Sequence, residues 1–297
     1  MKYRLHGITL DAPFPCPELP PASGEVDVFI TLGKIDPAAP AWRGEGVCFK
    51  AAPGQFLLAV QDVADYFVAN GNQVVIDPAP HVDESALRLF LYNEVIAALL
   101  MQRGALLLKG CVVERHGRAF AFTGPTPSGK TMLAAELARQ GFRIVSDGFF
   151  CLSGTETPLA QAGYPWLSVW EKSLDVLGIS PTGLKPVRTG MQRFYLPLNE
   201  SFGNQAVRLE AIHVLAFHNR SGLLIEEVTG AEKLFNLMSH RYHAEWGMPL
   251  DRVSTQNRMA VTLANLVKVN IIHYNDTLVS FGEFAARMKN ELEATVS

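Results

Sequence analysis

The chain lacks several features that would assign it to a common functional class. Cysteine is scarce: the four present, Cys16, Cys48, Cys111 and Cys151, are far apart and form no C-x-x-C pair. That spacing argues against a zinc ligand set or a disulfide framework, and predicts buried or half-buried free thiols of a reducing compartment. A surplus of basic charge is also missing. The 26 Lys and Arg are dispersed and outnumbered by 29 Asp and Glu, for a net charge of -3, which argues against a nucleic-acid partner, since such binding leans on clustered cations. Long apolar runs are absent as well. The greasiest stretch, Leu87 to Leu108, is interrupted by Arg88, Asn93, Glu94, Gln102 and Arg103, so it reads as an amphipathic helix and a strand, not a membrane span. The first residues, Met1 to His6, lack the apolar core of a signal peptide. Together these point to a cytoplasmic protein without a membrane partner. His240 and His243, three apart, have no acidic or cysteine partner at ligand spacing and read as a partly exposed helix end.

What is present divides into two parts. The first eighty residues read as short strands, Tyr3 to Leu10, Val26 to Leu32, Val47 to Ala51, Gln55 to Val60, Tyr66 to Ala69 and Gln73 to Ile76. The turn signals between them, including PFPCPELPP, DPAAPAW, APG, NGN and DPAP, recur at short intervals, the habit of an antiparallel sheet. A helix is predicted over Ser85 to Arg103, N-capped by Asp83 or Ser85 and ended by Gly104. Strands and helices then alternate. Strands are expected at Leu106 to Leu108, Cys111 to Arg115, Arg118 to Thr123, Arg143 to Ser146, Ala211 to Phe217, Leu223 to Val228 and Val269 to His273. Helices are expected at Met132 to Gln140, Glu171 to Leu177, Ala231 to His240, Thr255 to Val267 and Phe281 to Ala294. The expectation is an α/β (α+β) protein with a small β-rich domain over 1–80 and a larger domain over 81–297.

The strongest functional signal is Gly124-Pro125-Thr126-Pro127-Ser128-Gly129-Lys130-Thr131, which fits the phosphate-binding pattern G-x-x-x-x-G-K-[ST] between a predicted strand and a predicted helix. In such a loop, backbone N–H groups and a helix N-terminus converge on phosphate, the lysine reaches the outer phosphates and the hydroxyl ligates Mg²⁺. That nominates Gly124, Thr126, Ser128, Gly129, Lys130, Thr131 and Met132 for a nucleotide. Phosphoryl transfer also needs a carboxylate. Asp147 is the leading candidate because it ends the apolar strand FRIVS, where open α/β sheets place ligands. Trp166, Trp170, Trp246 and Tyr242 are aromatic residues that either line an acceptor groove or fill the core.

The run LLLKGCVVERHGRAFAFTGPTPSGKTMLAAELARQGFRIVSDG resembles the core of the HPr serine kinase/phosphorylase-like proteins, relatives of the phosphoenolpyruvate carboxykinases. The likeness is to the small bacterial branch that includes lasso-peptide kinases. It extends through YRLHGITLDAPFPCPELPPA, MQRGALLL, GYPWLSVWEKSLDVLGI, Gln192-Arg193, EAIHVLAFH and TGAEKLFNLM, so it covers most of the chain. It implies a P-loop kinase domain using ATP and Mg²⁺ to phosphorylate a serine on a peptide or small protein. Asp147 would take the hydroxyl proton or hold metal with Thr131, Lys130 would neutralise phosphate charge, and Arg193 would contact phosphate. A homo-oligomer is an expectation carried over from relatives that assemble.

Three positions depart from the family pattern. Lys109 replaces the usual histidine of the L-H-[AG] strand, and an ammonium of ordinary pKa near 10.4 is a poor proton shuttle. Gly148 replaces a second acid, leaving Glu156 or Glu171 as substitutes from elsewhere. Pro127 replaces a glycine and has no N–H to offer the bridging oxygen. Loss of one such donor costs roughly 3 kcal/mol of barrier, on the order of a hundredfold in rate. Three functions therefore stay open: a serine kinase served by Asp147, Lys130, Arg193 and Lys109, a nucleotide-binding scaffold without catalysis, and a kinase of a small metabolite.

Overall fold

A computed structural model describes residues 1–35, 42–154, 156–188, 190–217, 223–274 and 281–295. The chain forms two compact units, Met1–Leu107 with His243–Met259, and Leu108–Tyr242 with Ala260–Ser297. This differs from the expected division at 80/81. The helical segment after the first sheet belongs with that sheet because its apolar stripe is spent there, and a later segment, His243–Met259, joins it.

In the first unit eight strands lie in the order Lys2–Leu5, Ile8–Asp11, Val28–Leu32, Gln73–Pro78, Ala64–Ala69, Gln55–Val60, Phe49–Ala52 and Gly44–Glu45. The sheet is mixed, not purely antiparallel: Val28–Leu32 runs parallel to both of its neighbours. The predicted strand Tyr3 to Leu10 is a hairpin, folded at His6 and Gly7, both at positive φ. Alternation of turn residues suggested short strands, but only tertiary contact decides which strands pair. The turn predicted over 36–42 lies outside the described residues except for Trp42.

The helix runs Glu84–Phe90, a π turn Leu91–Val95, then Ile96–Gln102. Asp83 caps it by accepting from the Ser85 N–H at 2.9 Å. Its buried stripe includes Leu87, Leu91, Val95, Ile96, Leu99 and Leu100, each fully buried leucine contributing about 2 kcal/mol. The helix end is tied to the sheet: Gln102 accepts from the Gly71 N–H at 2.7 Å and donates to the Val68 carbonyl at 3.1 Å.

The second unit holds the phosphate-loop pattern. Arg118–Thr123 lies parallel to Val207–Phe217, which lies parallel to Lys268–Tyr274, with Leu224–Val228 antiparallel at the edge. Leu107–Arg115 is one strand, not the two expected, and is antiparallel to Arg118–Thr123 and to Arg143–Ser146. Two successive antiparallel pairings make Arg118–Thr123 and Arg143–Ser146 run the same way, so both end on the same side of the sheet. The helices Lys130–Arg139 and Phe281–Ala294 pack together in the core through Leu133, Leu137, Phe284, Met288 and Leu292. A separate three-stranded sheet orders Trp166–Trp170, Arg193–Pro197 and Lys185–Pro186. That sheet and the strands Phe149–Ser153 and Leu159–Ala160 were not expected from the sequence. No described helix is long and apolar enough to cross a membrane.

Candidate functional site

The glycines decide the shape of the loop that leaves Thr123. Gly124 has φ 136°, and a β-carbon there would come within 2.6 Å of the Leu215 carbonyl oxygen. Gly129 is left-handed at φ 64° and immediately precedes the helix Lys130–Arg139, where a β-carbon would meet the Phe281 ring at 3.1 Å. The helix therefore starts against the loop with its first N–H groups turned toward it. Lys130 folds back over the loop, donating to the carbonyls of Gly124 (3.1 Å) and Pro125 (2.8 Å) and to Ser128 Oγ (2.8 Å).

At the second residue of the helix, the Thr131 hydroxyl donates to Asp147 Oδ1 at 2.9 Å. This contact follows from the shared strand direction, which delivers Thr123 and Ser146 to the same sheet edge. The other Asp147 oxygen faces the Ser168 N–H at 3.4 Å. Asp147 is 6% exposed. Burial raises its pKa above the usual carboxylate value, against opposing help from the Thr131 hydroxyl, the Ser168 and Gly148 N–H groups and the Arg193 charge. Arg193 donates Nε and Nη2 to the Ser168 carbonyl at 3.4 and 3.3 Å, and its guanidinium lies 5.5 Å from the centre of the Trp170 ring. Ser168 thus joins the aspartate on one side to the arginine on the other.

These groups line a cavity of about 370 Å³. Of the residues nominated from sequence, Thr126, Ser128, Gly129, Lys130, Thr131, Met132, Asp147, Arg193 and Lys109 line it, while Gly124 stands behind, its carbonyl bonded to Lys130. Glu156 and Glu171 do not line it, so neither replaces the acid missing at Gly148. Of the four aromatics considered, only Trp170 is on the wall. Trp246 packs on Phe56 at 4.6 Å, Tyr242 stacks on Phe149 at 4.9 Å, and Trp166 meets Tyr195 edge-on.

Sequence reading missed Ser168, Val169 and Ser173, whose strand and following helix Glu171–Val176 carried no phosphate-like motif. It also missed Cys111, whose Sγ sits 3.4 Å from the Lys130 carbonyl oxygen beneath the helix start. Cys16, Cys111 and Cys151 are buried, but Cys48 is exposed, contrary to expectation. His240 and His243 do not share a helix face, because the helix Gly230–Ser239 ends before both. The His243 ring stacks on Trp246 at 3.8 Å. Among the described residues, no three His, Cys, Asp or Glu side chains converge as a metal cluster.

An oxygen-seeking divalent ion does not need such a cluster. Mg²⁺ is commonly held by one or two protein oxygens with substrate phosphate and water completing the shell. Thr131 Oγ1 and Asp147 Oδ1, 2.9 Å apart, are that kind of donor pair, and a cation would relieve the burial cost of the Asp147 charge.

No family model matches the chain, and no curated protein matches it in sequence. Among solved structures, that of the Hpr(Ser) kinase/phosphatase from Coxiella burnetii aligns at 9% identity over 63% of this chain and 98% of that one, with a TM-score of 0.33. An overlap that loose carries neither fold nor activity across, and the function is read from the site itself.

Proposed function

We propose that the chain is a P-loop kinase that uses ATP and Mg²⁺ to phosphorylate a serine hydroxyl on a peptide or small protein in the cytoplasm. The observation that carries this is the 2.9 Å pair of Thr131 and Asp147 beside the loop Gly124–Thr131, inside one cavity with Lys130 and Arg193. That set contains the parts phosphoryl transfer requires: a phosphate cradle, a hydroxyl for the ion, one carboxylate, Asp147, to serve both the ion and the acceptor proton, and cations for the developing charge. The serine-bearing acceptor rests on the sequence resemblance alone. The opening beside Trp170 suits a side chain entering from outside, since that ring is 53% exposed.

Each side chain has a distinct task in this reading. The N–H groups of Ser128 to Thr131 hold the inner phosphates. Lys130, released from the carbonyls of Gly124 and Pro125, turns to the outer ones. Thr131 and Asp147 would hold Mg²⁺, which would offset phosphate charge. Asp147, beside the Thr131 hydroxyl, receives the proton of the attacking hydroxyl. Arg193, held on the Ser168 carbonyl at the cavity wall, supplies positive charge for the transferring group.

A second reading, a nucleotide-binding scaffold without transfer, draws on two observations: Gly148 leaves the cavity with one carboxylate, and Lys130 rests on the loop's own oxygens. Thermal unfolding with MgATP tests binding, because ligand at a hundred times its Kd stabilises by about 2.7 kcal/mol. Lys130→Ala should remove most of that shift. Incubation with serine peptides and mass spectrometry for added phosphate then decides between kinase and scaffold. Absence of any shift with ATP, ADP, GTP or pyrophosphate counts against both.

A further inference from the structure

Lys109 is the cation on the cavity wall that the reaction above leaves without a task. It is the one exposed position in the strand Leu107–Arg115, whose other residues are buried except the half-buried Arg115 at its end. Its backbone is clamped at the root of the loop: its N–H donates to the His240 carbonyl at 2.8 Å, and its carbonyl accepts from the Thr123 hydroxyl at 2.6 Å. The next residue, Gly110, lies opposite Thr123 in register, one residue before the loop begins. The side chain lines the same cavity as Pro127. Among the described residues, none accepts a hydrogen bond or ion pair from its ammonium. Its charge adds to burial in lowering the Lys130 pKa, as expected of two cations facing one space.

The loop is correspondingly poor in donors. Pro125 and Pro127 remove two of its eight N–H groups. A surplus cation therefore stands at the root of a loop with missing donors. Resting on the kinase reading above, we infer that Lys109 stabilises the leaving oxygen, the task for which proline at 127 has no N–H.

In transfer, the bond from the γ-phosphorus to the bridging oxygen breaks while a bond to the acceptor oxygen forms. The bridging oxygen keeps the electron pair and becomes a terminal oxygen of ADP, and the acceptor proton passes to Asp147. Charge on that oxygen grows from ATP through the transition state to ADP, so a cation placed there favours the later states.

Full-length Lys109→Met, Pro127→Gly and the double variant test this, with MgATP and MgADP affinities by calorimetry and transfer by single turnover. Lys109→Met should melt with the wild type, since the side chain is exposed. It should lose about a hundredfold in transfer rate and weaken MgADP several-fold more than MgATP. In the Pro127→Gly background, where an N–H is restored, the same substitution should cost about tenfold or less. An equal loss in both backgrounds overturns the inference, as does equal weakening of ATP and ADP. If wild type transfers phosphate and Lys109→Met matches it, only the role of Lys109 falls. If wild type binds nucleotide but transfers nothing, the kinase reading falls and the ADP-over-ATP preference still decides for or against Lys109. If wild type binds no nucleotide, both fall.

Discussion

Two carboxylates, half-buried Glu18 in the first unit and buried Asp147 in the second, are treated in opposite ways. In the first, Glu18 is neutralised where it sits. Arg88 approaches it at 2.8 Å through Nε and 3.0 Å through Nη2, and the Tyr92 hydroxyl donates to it at 3.1 Å. In the second, no cation pairs with Asp147 among the described residues. Lys130 gives its protons to carbonyls and Ser128, and Arg193 gives its own to Ser168. Asp147 is left with a hydroxyl and N–H groups and a raised pKa. A buried charge whose neighbours are cations bonded elsewhere is costly as it stands and relieved by an arriving ligand. Glu18 reads as part of the fold, and Asp147 as part of a site.

Substitution at the two carboxylate sites should separate them. The largest effect is expected for Asp147→Asn, which should cut transfer by at least a thousandfold while MgATP still binds. It should also raise the melting temperature of the nucleotide-free protein, because it removes a charge that burial penalises. A lower melting temperature would show that Asp147 is satisfied like Glu18, and the contrast would collapse. Arg88→Met is the reverse experiment. It should cost roughly 2 to 3 kcal/mol in denaturant unfolding, by leaving Glu18 without its cation, and leave nucleotide binding unchanged. No loss of stability would mean that Glu18 is solvated well enough to need no partner.

A smaller effect concerns acid. His6 in the first unit and His213 in the second are buried, and burial lowers their pKa values from 6.5 to about 3 and about 4. Below pH 6.5 the unfolded chain binds protons at these sites and the folded chain does not. Their stabilisation is therefore complete above 6.5 and is lost as pH falls toward 4, each contributing a slope of about 1.4 kcal/mol per pH unit. Asp147 works with the opposite sign, since its raised pKa lets the folded state keep a proton after the unfolded state has released it. Urea unfolding at pH 7, 6 and 5 should show falling stability. A flat response would mean the two histidines are solvated enough to titrate in place.

Much of the site was legible in the sequence because its chemistry is local. A strand, eight residues and a helix are contiguous, and the loop pattern needs nothing distant to be recognised. Asp147 was found because an acid ending an apolar strand is a short-range pattern. Ser168 and Trp170 were not legible as neighbours of Asp147, since their strand pairs with Arg193–Pro197, more than twenty residues on, and nothing in either segment announces the other.

The sequence by itself determined the loop and the apolar stripes of the helices. These depend on residue type and spacing within one element. Tertiary structure alone decided which strands run parallel in the first sheet, where the chain divides into units, and how Asp147 meets Thr131 while Glu156 and Glu171 stay away from the cavity. It also decided that the lysine at 109 stands beside a loop short of N–H donors. Pairing between distant strands is set by the sum of many weak contacts across the whole core, and no short stretch of sequence carries that sum.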